Sequence, residues 1–184
     1  MFKLMNVISK PALQLLRHLG RRYREGYYVR ELSRNLSIGL GTASQSLRAL
    51  ENAGLIVKEK KGRLVIYRAN MENYLLREFK VLLTLMEINT LIQRMEDTSS
   101  RIILFGSCAT GEDTADSDID IFIETQDKNR TLDLIENYQK KIERKLSPII
   151  MSPFEFEQLK TKDKPLYERI NLGKIIFEAH EISI

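Results

Sequence analysis

Apolar residues recur at helical spacing from Ala12 through Leu13, Leu15, Leu16 and Leu19, behind Ser9 as a candidate N-cap and with Pro11 in the first turn. This spacing predicts a first helix. After a loop around Gly26, Val29, Leu32 and Leu36 predict a short second helix and Ser37 to Gly39 a turn. Ala43, Leu47, Leu50 and Ala53 then predict a third helix over Gly41–Ala53, with Gly54 as its C-terminal cap. Leu55–Glu59 and Arg63–Arg68 flank Lys60, Lys61 and Gly62, the order of a β-hairpin turning at glycine. Residues 71–97 contain no Gly or Pro, and Leu75, Leu76, Phe79, Leu82, Leu83, Met86, Leu91, Ile92 and Met95 leave little of that helix polar. So wide a stripe is expected to bury on more than one side, either between two domains or against a second copy in a homodimer.

Past residue 97 the period changes. Arg101–Phe105 and the run from Ile119 to Ile123 read as strands, Leu132, Ile135, Ile142 and Leu146 as one face of a helix, and Ile175–Phe177 as a last short strand. The expected organisation is α+β: a first domain over 1–70, a connecting helix over 71–97 and a mixed sheet with flanking helices over 98–184.

With 43% hydrophobic and 29% charged residues, 9 Gly and 4 Pro among 184 residues, the composition excludes low-complexity and fibrous chains. The single cysteine, Cys108, forms no internal disulfide, and no stretch approaches the roughly eighteen apolar residues of a membrane span. Lys3, Asn6 and Lys10 interrupt the first residues, so no signal peptide is expected and the chain reads as cytoplasmic. His18 and His180 are isolated and lack zinc-ligand spacing. The net charge of +4 conceals a step: residues 1–70 carry 14 Lys/Arg against 4 Glu, a net of +10, and the remainder carries 15 against 21, a net of −6. A basic first segment suits a polyanion, because each phosphate neutralised by Lys or Arg releases a condensed counterion.

The order helix, short helix, turn, helix, hairpin is that of a helix-turn-helix with a wing. The segment "YVRELSRNLSIGLGTASQSLRALENAGLIVKEKKGRLVIYRAN" resembles the winged helix-turn-helix domains of prokaryotic transcription regulators. The resemblance implies duplex DNA as partner and a recognition helix, Gly41–Ala53, in the major groove. Helical phase agrees: with Ala43, Leu47 and Leu50 turned to the core, Thr42, Ser44, Gln45 and Arg48 face outward, where Gln suits adenine and Arg guanine. Lys58, Lys60, Lys61 and Arg63 on the hairpin suit phosphates.

The second segment carries the candidate chemistry. An apolar strand runs into Gly106-Ser107, and Asp118-Ile119-Asp120 follows. In a strand, residues i and i+2 share a face, so Asp118 and Asp120 point together. Two aligned carboxylates repel unless a cation lies between them, and hard oxygen ligands favour Mg²⁺ shared with substrate phosphates. Gly106 permits close backbone approach, and Ser107 at a helix start offers a hydroxyl beside free N–H groups.

The stretch "ILFGSCATGEDTADSDIDIFIE" resembles the signature of the nucleotidyltransferase superfamily, the DNA polymerase β-like fold, in its minimal form. By that resemblance Gly106 and Ser107 bind the β- and γ-phosphates of a nucleoside triphosphate, and Asp118 and Asp120 hold Mg²⁺ or Mn²⁺. Two metals would then clamp the attack of an acceptor hydroxyl on the α-phosphate. The resemblance also implies an acceptor such as a drug or a partner toxin. Two departures stand out. The third carboxylate of the family is expected on the strand "KLSPIIMSP", where Ser147, Pro148 or Ile149 stands instead; Glu143 and Glu155 are the nearest acids, Glu155 within a predicted capping box with Ser152. Thr110 replaces the arginine usual in that turn, which removes a positive contact to the triphosphate. The expectation is therefore a DNA-binding regulator that binds Mg-nucleotide, with nucleotidyl transfer or an antitoxin-like partnership as the alternative.

Overall fold

In the computed structural model residues 9–179 are described, and His180 and the first eight residues lie outside them. The chain divides into two units between Lys80 and Val81.

The first unit opens with α1 (Lys10–Arg21), whose N-cap Ser9 accepts a hydrogen bond from the Ala12 N–H. β1 (Tyr27–Tyr28), α2 (Val29–Asn35) and α3 (Leu40–Asn52) follow. Gly54 stops α3 with φ +73°, where a side chain would be strained. β2 (Ile56–Lys61) and β3 (Leu64–Ala69) pair antiparallel, Lys60 opposite Val65 and Lys61 opposite Leu64, and β1 pairs on the other edge of β3. The hairpin turn is therefore shorter than the sequence predicts. Only Gly62 and Arg63 form it, and Gly62 at φ +60° occupies the position where a two-residue turn needs a positive φ, so Lys60 and Lys61 stay in the ladder. The core joins Leu15, Leu16 and Leu19 of α1, Leu32 of α2, Leu47 and Leu50 of α3, and Leu76.

Leu76 belongs to α4 (Tyr74–Met95), a single helix whose first turns complete the first core while Val81, Ile88, Leu91, Ile92 and Met95 belong to the core of the second unit.

The second unit is a four-stranded mixed sheet in the order β6-β5-β4-β7, made of β4 (Ser99–Leu104), β5 (Ile119–Thr125), β6 (Leu146–Met151) and β7 (Lys174–Glu178). β5 and β6 run parallel, and the other pairs are antiparallel. Ile119, Ile121 and Ile123 pack with α4 and with Ile135 of α6 (Lys128–Gln139). Phe122 and Ile103 point the other way, onto Phe156 and Leu159 of α7 (Pro153–Lys162) and Ile170 of α8 (Lys164–Asn171). This is the period-two alternation of a strand buried on both faces.

The predicted helix around Leu132–Leu146 is corrected: α6 ends at Gln139, Ile142 lies in the loop beyond it and Leu146 begins β6. The physical reason is local. The Gln139 side chain donates to the Arg144 carbonyl at 3.0 Å and accepts from the Leu146 N–H at 2.7 Å, closing a loop that delivers the chain into β6. Among the described residues, no helix is long and apolar enough to cross a membrane.

Candidate functional site

Two sets of polar residues stand out, one in each unit. In the first, the phase predicted for α3 holds: Ala43, Leu47 and Leu50 are fully buried, Thr42, Gln45 and Arg48 are exposed and Ser44 is half-buried. These four line an open groove of about 950 Å³ along α3. Lys60, Lys61 and Arg63 are exposed on the hairpin. Lys58 is exposed too, but its ammonium is held by Glu51 of α3 at 2.7 Å, which reduces its freedom to reach a phosphate.

In the second unit, β4 leads through Phe105 and Gly106 into the four-residue helix α5 (Ser107–Thr110). Gly106 has φ +67° and ψ −156°, a conformation open essentially to glycine alone. A Cβ there would press into the Asp120 carboxylate, whose Cγ would lie 3.2 Å away. The Phe105 N–H donates to the Asp120 carbonyl at 3.1 Å, so the turn and the acidic strand are joined at the backbone as well.

Asp120 follows Ile119, whose side chain is fully buried on the α4 side, so strand alternation sends its carboxylate to the opposite face, against Gly106, while Asp118 stands one residue before β5. Each is half-buried. The Asp118 carboxylate accepts from the Lys145 ammonium at 3.0 Å, a partner 27 residues away that no local pattern in the sequence marks.

The loop between α5 and β5 is fixed by Arg144, 6% exposed. Its Nε and Nη2 donate to the Ser117 carbonyl at 3.1 and 3.0 Å, and Nη2 also donates to Cys108 Sγ at 2.9 Å. Nη1 donates to Thr84 Oγ1 at 3.3 Å and lies 3.4 Å from Asp113 and 3.7 Å from Glu87. One guanidinium thus ties the residue before Asp118 to the residue after Ser107. Burial pushes the Cys108 thiol up, with Arg144 opposing it, in keeping with a packing residue rather than a nucleophile.

The strand beside the acids carries none. In the parallel register Ser147 stands opposite Asp120 and Ile149 opposite Phe122, so the position facing the carboxylates is a serine. Glu143, exposed in the loop before β6, is not on a helix. Glu155 closes the capping box with Ser152 and pairs with Lys128 at 2.5 Å, contacts that hold its carboxyl down at about 2. Among the described residues no group of three or more His, Cys, Asp or Glu side chains is gathered to hold a metal. The Thr110 hydroxyl donates to the Ser107 carbonyl at 3.2 Å and lies 3.4 Å from Glu112, so the position of the missing arginine is taken by local hydrogen bonds.

Residues 86–182 match the family model described as polymerase beta, nucleotidyltransferase. The chain belongs to this family. Residues 10–58 match the model of bacterial regulatory proteins of the arsR family, so a regulator-type DNA-binding module precedes the nucleotidyltransferase domain. No curated protein matches the chain. Among solved structures it is similar to the homodimeric winged helix-turn-helix DNA-binding domain of a possible ArsR-family regulator from Mycobacterium bovis, at 23% identity over 48% of this chain and 78% of that one, TM-score 0.41. It is also similar to the antimony-specific transcriptional repressor AntR, at 22% identity over 48% and 77%, TM-score 0.41. A third similarity is to a possible transcriptional regulator for arsenical resistance, at 22% identity over 54% and 98%, TM-score 0.37.

Proposed function

We propose that the protein is a DNA-binding transcription regulator whose second unit binds a nucleoside triphosphate together with Mg²⁺ or Mn²⁺. The observation that carries the nucleotide half is the seating of Asp120 against Gly106. Gly106 carries no side chain and the Asp120 carboxylate lies against the space a Cβ would take, so a phosphate held by the N–H groups of this turn would lie directly beside a carboxylate. Two hard carboxylates, Asp118 and Asp120, fit one divalent ion whose other ligands come from phosphate and water. Bound there, the ion would neutralise the triphosphate. Gly106 and Ser107 cradle the β- and γ-phosphates, and Arg144 holds their turn in register with the acidic strand.

Binding without efficient transfer is the reading favoured by Ser147, which stands where an acid would be needed to activate an acceptor hydroxyl, and by Lys145, whose ammonium engages Asp118. Such a domain is a nucleotide sensor, and a drug or partner protein as acceptor is not required. On the DNA side, Thr42, Ser44, Gln45 and Arg48 read base edges in the major groove, while Lys60, Lys61 and Arg63 contact phosphates, with Lys58 only after release from Glu51. Calorimetry with Mg-ATP and Mg-GTP, on the wild type and on Asp118→Asn/Asp120→Asn, tests the nucleotide half. Uptake by the wild type alone supports it, and equal uptake by both refutes it. Incubation with labelled triphosphate and cell extract tests the sensor reading, because label transfer lost in the double variant would overturn it.

A further inference from the structure

Lys145 is three-quarters exposed, yet its ammonium sits 3.0 Å from Asp118 Oδ2. Its backbone explains why. The Lys145 carbonyl accepts the Ile119 N–H at 2.8 Å, so the residue is stitched beside the start of β5 one position ahead of the Leu146–Ile119 register pair. The position is thus fixed by the sheet, and the side chain has only to lie across the strand. Asp118 is 38% exposed, and an ion pair this wet is weak enough to open.

Resting on the nucleotide-site reading above, we propose that Lys145 is a specificity-determining residue that makes the site take metal and triphosphate together rather than metal alone. A divalent ion arriving by itself at Asp118 must displace the ammonium and then sit beside a stranded positive charge. An ion arriving with a triphosphate brings phosphate oxygens to which the displaced ammonium transfers. Lys145 then supplies the cation that Thr110 does not, since the Thr110 hydroxyl is taken up by Ser107 and Glu112. Metal and triphosphate therefore bind with positive coupling, which by linkage is the same from either side.

The test is calorimetry of the full chain with Mn²⁺ alone, tripolyphosphate alone and the two together, on wild type, Lys145→Met, Lys145→Arg and Asp120→Asn. Lys145→Met is expected to bind Mn²⁺ alone about three- to ten-fold more tightly and Mn-tripolyphosphate more weakly, so that the coupling shrinks. Lys145→Arg should retain the wild-type pattern. Unchanged or weaker Mn²⁺ binding in Lys145→Met, with Asp120→Asn having lost Mn-tripolyphosphate, overturns the role of Lys145 and leaves the site standing. Asp120→Asn binding like the wild type overturns the site and the role together.

Discussion

Replacing Arg144 by methionine keeps the bulk of a side chain that is 4% exposed and removes every donor it carries. Asp113, 1% exposed, would lose a guanidinium 3.4 Å away, and the Ser117 carbonyl would lose two hydrogen bonds. Deleting one partner of a buried ion pair costs about 3–5 kcal/mol. Hydrogen bonds to a charged donor are worth about 1.5–3 kcal/mol each, but they belong to the same network and do not add to that figure. A loss of about 3–5 kcal/mol is a large part of the roughly 5–15 kcal/mol that holds a domain. With a urea slope of about 1–3 kcal/mol/M, the midpoint of the second unit falls by about 1–5 M. The chain has no Trp, so far-UV circular dichroism of the full chain is the suitable probe. A variant within about 0.5 kcal/mol of the wild type refutes the reasoning.

Gly106→Ala forces a side chain into a positive-φ position against Asp120, so it should abolish Mn-tripolyphosphate uptake while the winged-helix transition in urea stays in place; retained uptake contradicts the close seating. Neutralising Lys60, Lys61 and Arg63 together should weaken binding to all duplexes and flatten the salt dependence by up to about three charges, read from gel shifts across a salt series. Gln45→Ala or Arg48→Ala should instead relax discrimination among sequences, seen by selection from random duplexes. Glu155 is held at about 2 against an ordinary 4.5, so the stability it contributes is present above pH 4.5 and disappears as pH falls toward 2; the melting difference between wild type and Glu155→Gln should shrink over that window, and a constant difference contradicts the capping role.

The winged helix was legible because its signals are local. Buried Ala43, Leu47 and Leu50 repeat at helical spacing, and glycines mark two places where φ turns positive, Gly54 and Gly62, although Ser37 at φ +52° takes a third without one. The burial of Ile119 between two acids was legible for the same kind of reason, since the onset of strand alternation needs only a few residues. Arg144 and Lys145 were not. Each meets its partner across 27 or more residues, from Ser117 and Asp118 to Thr84 sixty residues away, and nothing in the surrounding sequence marks a buried arginine from an exposed one. The end of α6 escaped as well, because a glutamine side chain rather than Gly or Pro closes the loop that follows. The sharing of α4 between two cores was visible only as an apolar stripe too wide for one.

On the function proposed above, Asp118 and Asp120, beside Gly106, take up a metal-bound triphosphate. Calorimetric titration of the full chain with Mn-ATP is its most direct test. Saturable, metal-dependent uptake near one nucleotide per chain, lost in Asp118→Asn/Asp120→Asn while the far-UV spectrum is unchanged, is the result expected. Uptake that ignores the metal, or survives in the double variant, contradicts the account.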